Sequence, residues 1–273
     1  MTFGKLSMPG ATLHYEVTGA GPVLLLICGG KTDAAIFGGI AGQLAAGYTV
    51  VSYDPRGNSR SAYDGVPDDG PGPGAAEALA LLEEVAGDEP AYVFGSSSGA
   101  IAGLELITRH PERVRRLVAH EPPCVEVLPD AVAAGAFFAD VEATYRADGP
   151  EAAEAKFIHG IGADQGEPPR LENVPPAMLE MFLRMQANTP VFYEHKLLPF
   201  TRYAPDLEAL AASAAKIVPA VGVTSAGFLP GRPIQVIAER IGRPVVRFPG
   251  DHVGYAADPV GFAGVLAEVL AAD

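Results

Sequence analysis

The stretch Ala91-Tyr92-Val93-Phe94-Gly95-Ser96-Ser97-Ser98-Gly99 decides the fold of this chain. Its apolar start reads as a buried strand, and Gly95 to Gly99 match the pattern G-x-S-x-G with Ser97 at the centre. A strand that ends, turns sharply and enters a helix within about three residues crowds the backbone around that serine. Glycines two before and two after it remove the side chains that would clash. The turn lifts the serine oxygen above the strand end and aims the next N–H groups at it. Residues Ala100-Ile101-Ala102-Gly103-Leu104-Glu105-Leu106-Ile107 then form a helix-compatible apolar run that ends at His110-Pro111. The pentapeptide alone also fits a plain Gly/Ser turn; the strand before it and the helix after it select Ser97 as a nucleophile.

Outward from this turn, apolar runs and helix-compatible segments alternate. Leu6 to Met8 and Thr12 to Val17 flank the turn signal Pro9-Gly10 and read as a hairpin. Val23 to Cys28 is a continuous apolar run, suited to a strand covered on both faces. There follow a helix over Ile36–Ala46, a strand over Tyr48–Tyr53, a helix over Gly74–Ala86, the Ala91–Phe94 strand, its helix, and a strand over Val114–Ala119. Asp68 to Gly74 is rich in Pro and Gly and reads as a mobile loop. This βαβα alternation predicts an α/β fold with a mostly parallel sheet and helices on both faces.

The alternation stops after Glu121. From Val125 to Ala215 the pattern is helical, at Ala131–Arg146, Pro150–His159, Pro176–Ala187 and Pro190–Leu197, with a proline-rich connector over Gly162–Pro176. It resumes with a strand over Lys216–Gly222, a helix near Pro230–Arg240, a strand near Pro244–Phe248 and a helix over Pro259–Ala271. The expected organisation is a core of residues 1–124 and 216–273, with residues 125–215 inserted as a helical cap. Such an insertion lies over the carboxyl ends of the strands, where open α/β sheets bind ligands.

The chain has 273 residues, 48% of them hydrophobic, enough for a sizeable core. Its net charge of −14 repels phosphate backbones and anionic bilayers, so neither nucleic acid nor membrane is an expected partner. Two distant cysteines, Cys28 and Cys124, make neither a disulfide framework nor a metal motif, and no cofactor or metal is expected. The start Met1-Thr2-Phe3-Gly4-Lys5 has no basic segment followed by an apolar one, and no apolar run approaches the roughly 20 residues that span a bilayer. A cytoplasmic location is expected, and a homodimer is compatible with the sequence.

This layout resembles the α/β-hydrolase superfamily with a helical cap, on an eight-stranded sheet. The resemblance covers nearly the whole chain. It rests on Gly95–Gly99, on Tyr53-Asp54-Pro55-Arg56-Gly57-Asn58-Ser59 after the fourth strand, and on Pro249-Gly250-Asp251-His252 near the end. In that family the Asp-x-Arg-Gly turn is structural, so Asp54 and Arg56 receive no catalytic role. A serine hydroxyl needs a neighbouring base. Of six histidines, His252 follows the last strand at the carboxyl edge of the sheet, and the family's order of serine first and histidine last also selects it.

The third triad member departs from the family's common pattern. Most members place Asp or Glu just after the seventh strand, but Val221-Gly222-Val223-Thr224-Ser225-Ala226-Gly227-Phe228 holds no carboxylate. Asp251 adjoins His252 in sequence, where neighbouring side chains diverge. Glu121, in His120-Glu121-Pro122-Pro123 at the end of the sixth strand, is the better candidate. Its pairing with Gly95-Ser96-Ser97-Ser98-Gly99-Ala100 resembles the zearalenone-type lactone hydrolases, which carry their triad glutamate after strand six. The competing assignments for Glu121 are a cap on the entry into the inserted segment, or a structural pair with an arginine such as Arg113.

Acyl transfer also needs two N–H donors for the developing oxyanion. Ser98 follows the nucleophile and opens a helix; Gly30, in Cys28-Gly29-Gly30-Lys31-Thr32-Asp33, matches the family's other donor. Cys28 stands where the family usually has histidine and reads as a small buried residue. Lys31 is a candidate contact for an anionic substrate group, against the plainer reading of a solvated lysine. Met178, Phe182 and Met185 share a helical face at i, i+4, i+7, and with Phe192 are candidates to line an apolar pocket. The resemblance implies a serine hydrolase acting on a small hydrophobic ester or lactone. Its rivals are a type II thioesterase, a carbon–carbon bond hydrolase with the same triad, and a nearly inactive hydrolase-like ligand-binding protein.

Overall fold

The computed structural model describes residues 1–162 and 175–272. Most of the connector expected over Gly162–Pro176 lies outside them. Eight strands form one continuous sheet: β1 (Thr2–Met8), β2 (Ala11–Thr18), β3 (Val23–Ile27), β4 (Thr49–Tyr53), β5 (Ala91–Ser96), β6 (Val114–His120), β7 (Ile217–Gly222) and β8 (Val246–Phe248). Their order is β1-β2-β4-β3-β5-β6-β7-β8, and a two-residue strand, Ala62–Tyr63, pairs with β2 off this path. β1 and β2 form an antiparallel hairpin and β2 runs antiparallel to β4; from β4 to β8 every pairing is parallel. Parallel strands need helical crossovers that cover both faces, which is why their inner residues are apolar on both sides. One face is filled around Leu25, Val93, Ile101 and Leu117, the other around Leu26, Phe94, Val118 and Phe262.

The core helices are α1 (Gly38–Leu44), α2 (Pro71–Ala86) and α3 (Ser98–Arg109). α2 starts at Pro71, inside the stretch expected to be a loop. A proline at the first helical position has no N–H to orphan and already holds helical φ, so Pro71 opens the helix rather than delaying it. Between β6 and β7 lie α4 (Ala131–Asp148), α5 (Pro150–Gly160), α6 (Pro176–Ala187), α7 (residues 189–201) and α8 (Leu207–Ala212). α7 contains a π turn at Phe192–Lys196. α4, α5 and α7 share a small core of their own, with Phe138, Val141, Ala153, Tyr193 and Leu197. After β7 come α9 (Gly231–Arg240), α10 (Gly254–Ala257) and α11 (Pro259–Ala271). Among the described residues no helix is long and apolar enough to cross a membrane.

Candidate active site

β5 ends at Ser96 and α3 begins at Ser98, so the whole reversal falls on Ser97, whose φ is 58° and ψ −127°. Positive φ is rare for a residue with a Cβ and costs energy, and such residues concentrate at functional sites. The surroundings enforce it. A Cβ on Gly95 would collide with the Gly99 carbonyl oxygen, and one on Gly99 with that of Ile27. The Ser97 N–H donates to the His120 carbonyl at 2.9 Å, while its own carbonyl accepts the N–H groups of Ala100 and Ile101.

His120 closes β6, and Glu121 follows it with φ 50°. That second left-handed residue turns the glutamate across the end of β7, and its carboxylate is fully buried. One oxygen, Oε1, accepts the Gly222 N–H at 2.8 Å and the Ser225 hydroxyl at 2.5 Å. The other, Oε2, lies 2.6 Å from His252 Nδ1. Burial alone would raise the Glu121 pKa; the His252 hydrogen bond and charge, with lesser help from His120 and Ser225, bring it down to about 2. Two acceptors cannot face each other at 2.6 Å, so Nδ1 carries the proton and Nε2 is left as the basic nitrogen. Arg113, the competing partner, pairs instead with Asp88 at 3.7 Å. Asp251 turns away to accept the Val253 N–H at 2.9 Å.

Sequence reasoning found no carboxylate between Val221 and Phe228. It missed that this same segment supplies two donors, Gly222 N–H and Ser225 Oγ, to a carboxylate arriving from β6.

Ser97 and His252 border one cavity of about 210 Å³, together with Gly30, Ser98 and a mostly apolar lining from the inserted helices. The loop after β3 is held from several sides. Asn58 Nδ2 donates to the carbonyls of Gly30 at 3.2 Å and Thr32 at 2.7 Å, and Asn188 Nδ2 to that of Lys31 at 2.9 Å. Gly30 has φ +60°. Its N–H donates to the Ser98 hydroxyl at 2.8 Å. Cys28 is buried, donates to the Tyr53 carbonyl at 3.7 Å, and its thiol is pushed up by burial, so it offers no thiolate.

Of the expected pocket residues, Lys31, Met185 and Phe192 line the cavity. Met178 and Phe182 are not in its wall, and Met178 is 45% exposed. Lys31 is not a free cation: its Nζ pairs with Glu154 Oε2 at 2.8 Å, and Tyr193 also donates to that oxygen at 3.0 Å. Residues that periodicity did not single out, Phe157, Ile158, Leu197 and Tyr255, complete the lining. Asp54 is occupied by Arg60 through Nε at 2.7 Å and Nη2 at 2.8 Å, and Arg56 by a buried pair with Glu77. Both hold the turn after β4. Among the described residues no cluster of His, Cys, Asp or Glu is arranged to hold a metal ion.

Comparison with known proteins agrees with this architecture. The family model described as alpha/beta hydrolase fold matches residues 22–206. An uncharacterized hydrolase of Bacillus subtilis, YraK, is 35% identical over 277 residues, covering 98% of this chain and 95% of the relative. Zearalenone hydrolase of Bionectria ochroleuca is 33% identical over 128 residues, 45% of this chain and 48% of that protein. Among solved structures, a thermophilic esterase from Thermogutta terrifontis superposes with a TM-score of 0.76 at 18% identity, covering 99% of this chain and 98% of the other. The enol-lactonase of Burkholderia xenovorans gives 0.68 at 18% identity, covering 98% and 100%. At these identities the structures share the fold.

Proposed function

The chain belongs to the α/β-hydrolase family, and from that premise we propose that it is a serine hydrolase cleaving a carboxylic ester or lactone of a small hydrophobic substrate. The observation that carries this reading is the buried Glu121–His252 contact of 2.6 Å, with His252 and the Ser97 turn both at the wall of one mostly apolar cavity. Ser97 Oγ attacks the carbonyl carbon as His252 Nε2 takes its proton. Glu121 stays ionised, orients the ring through Nδ1–H and stabilises the imidazolium. The carbonyl oxygen becomes an oxyanion and is met by the N–H groups of Gly30 and Ser98, the latter at the positive end of α3. His252 then returns the proton to the leaving alkoxide. Water, activated by the same nitrogen, releases the acyl group from Ser97. In a lactone the leaving alcohol stays tethered and departs with the acid.

Support for the substrate class comes from the cavity. Its walls are mainly apolar, and its polar side chains are largely engaged: Lys31 with Glu154, Lys196 with Asn58, Thr201 with the Leu197 carbonyl. Such a pocket favours hydrophobic acyl or ring groups over sugars or phosphates. The inserted helices then act as a cap that shapes the acyl site. The partial likeness to a protein named zearalenone hydrolase favours lactones within this class. The test is labelling with a fluorophosphonate, followed by a panel of lactones, alkyl esters and thioesters. Labelling at Ser97 with turnover of esters or lactones is the expected result. No labelling, or thioester turnover alone, overturns the proposal.

A further inference from the structure

Two cavities share a wall at Lys31 and Glu154. The inner one, of about 210 Å³, is bordered by Ser97 and His252. The outer one is a wider cleft of about 700 Å³, with Pro150, Glu151, Gln186 and Pro190 exposed along it. Lys31, Glu154 and Ile158 belong to the walls of both. Lys31 sits on the core loop after β3, one residue beyond Gly30. Glu154 and Ile158 share a face of α5, at i and i+4. The Lys31 Nζ–Glu154 Oε2 contact of 2.8 Å therefore spans the partition between the outer cleft and the cavity of the nucleophile.

The backbones at the two ends of this contact are fixed, while its tips are not. The Lys31 carbonyl accepts Asn188 Nδ2 at 2.9 Å. On the other side Ala153, next to Glu154, is buried in the small core of the inserted helices. The two side chains themselves are 21% and 30% exposed. A lysine–carboxylate pair that water reaches favours its closed form over an open one by no more than about fivefold. Other ties across the same seam are deeper. Arg184 Nε donates to Asp33 Oδ2 at 2.6 Å, and Asp33 is fully buried. The buried Lys196 Nζ donates to the Arg56 carbonyl at 2.7 Å and to Asn58 Oδ1 at 2.6 Å. These hold α6 and α7 on the core when Lys31 lets go.

We propose that Lys31 and Glu154 are specificity-determining residues whose ion pair closes the passage from the outer cleft to Ser97 and parts to admit a neutral hydrophobic ester or lactone. This rests on the serine-hydrolase reading and deepens it. The passage opens by rotation of two side chains, with the inserted helices in place. The four-carbon stem of Lys31 is flexible, and its ammonium is hydrated when it swings into the cleft. Such side chains change rotamer in picoseconds to nanoseconds, so entry scales with the fraction of time the pair is apart. A neutral substrate competes for neither charge, so the pair reforms behind it. Ile158, one turn beyond Glu154 on α5, sets the width of the opening.

The test follows a naphthylboronic acid, which forms a tetrahedral adduct on a nucleophilic serine, by its own fluorescence in stopped flow. A passage is crossed in both directions, so it scales kon and koff together and leaves Kd alone. Lys31→Ala and Glu154→Gln are expected to raise both rates about three- to fivefold, with Kd held within about twofold. Glu154→Gln keeps an acceptor for the Tyr193 hydroxyl, so an effect common to the two variants belongs to the ion pair. Added salt should speed association with wild type and not with Lys31→Ala. Ile158→Trp should slow both rates. A Kd that changes through koff alone means that Lys31 touches the bound ligand, and overturns the proposal. Unchanged rates in both pair variants overturn it too. So does a Val253→Trp that slows entry where Ile158→Trp does not, since Val253 is exposed and lines the inner cavity beside His252. A wild-type protein that binds neither boronic acid nor fluorophosphonate overturns the serine-hydrolase reading itself, and this inference with it.

Discussion

Glu121 Oε2 and His252 Nδ1 meet at 2.6 Å across 131 residues of chain, with the glutamate fully buried. β6 and β8 are not neighbours; β7 lies between them. The left-handed turn at Glu121 carries the carboxylate over the end of β7, where Gly222 and Ser225 fasten it. Glu121→Gln keeps the side-chain size and removes the charge that stabilises imidazolium. Its kcat is expected to fall at least about 10²-fold. Asp251→Asn should stay within about twofold, because among the described residues the Asp251 side chain hydrogen-bonds only within its own turn. Steady-state kinetics of the two variants decide between them, and a reversed order removes Glu121 from the triad.

Ser97→Ala should abolish turnover while the protein stays folded, since among the described residues Ser97 contributes only main-chain bonds to the turn. Circular dichroism controls for folding. A folded Ser97→Ala that keeps most of its activity would falsify the nucleophile assignment.

The serine turn was legible because its constraints are local: glycines at two fixed offsets, a strand before, a helix after. Glu121 entered through a resemblance to the zearalenone-type lactone hydrolases, which carry their triad glutamate after the sixth strand, where the family's usual position after β7 holds no carboxylate. The cavity lining was less legible, for a geometric reason. Periodicity says which side of a helix a residue faces, not how far along the axis the site lies. Met178 and Met185 share a face of α6 but stand seven residues, roughly 10 Å, apart along it. Only the C-terminal end of α6 reaches the cavity. In α7 the π turn at Phe192–Lys196 changes the register, so that Phe192, Lys196, Leu197, Phe200 and Thr201 all reach the cavity. No 3.6-residue pattern announces that.

This difference along α6 and α7 is itself testable. Phe192 lines the cavity and packs edge-on against Phe157, with ring centroids 5.4 Å apart. Phe192→Leu should shift preference toward bulkier acyl groups, changing the ratio of kcat/KM between long and short esters by about tenfold. Met178→Ala should leave that ratio unchanged. An equal shift in both variants means that Met178 reaches the substrate in solution.

Gly99 sits where α3 passes closest to β3. A Cβ there would run into the carbonyl oxygens of Ile27 and Cys28, which are backbone atoms and cannot swing aside. Gly99→Ala is therefore expected to destabilise by about 1–3 kcal/mol, the usual cost of overpacking. Urea unfolding measures it. A stability equal to wild type would mean that the β3 and α3 backbones separate freely, against the tight turn described above.

The last expectation concerns pH and His120, a buried histidine that the proposed reaction does not use. Its Nδ1 lies 3.2 Å from Ser96 Oγ, and its ring stands among Phe94, Phe248, Tyr255 and Phe262, 6.3 Å from the His252 ring. Burial drives its pKa down to about 4, with Glu121 opposing that shift and His252 adding to it. The unfolded value is about 6.5. The folded pKa is thus depressed for a base, and below about 6.5 the unfolded chain binds the proton more readily. This contribution to stability is complete above pH 6.5 and is lost as pH falls toward 4. Glu121, held near 2 against an unfolded value of 4.5, adds a slope of the same sign only below about pH 5, where the unfolded carboxylate takes up its proton. Urea unfolding free energy should therefore fall between pH 7 and 5 in wild type. In His120→Asn that slope should flatten, even though the variant starts less stable at pH 7. An unchanged slope in His120→Asn would mean that the acid sensitivity arises elsewhere, and that His120 takes up its proton in the folded protein as easily as in the open chain.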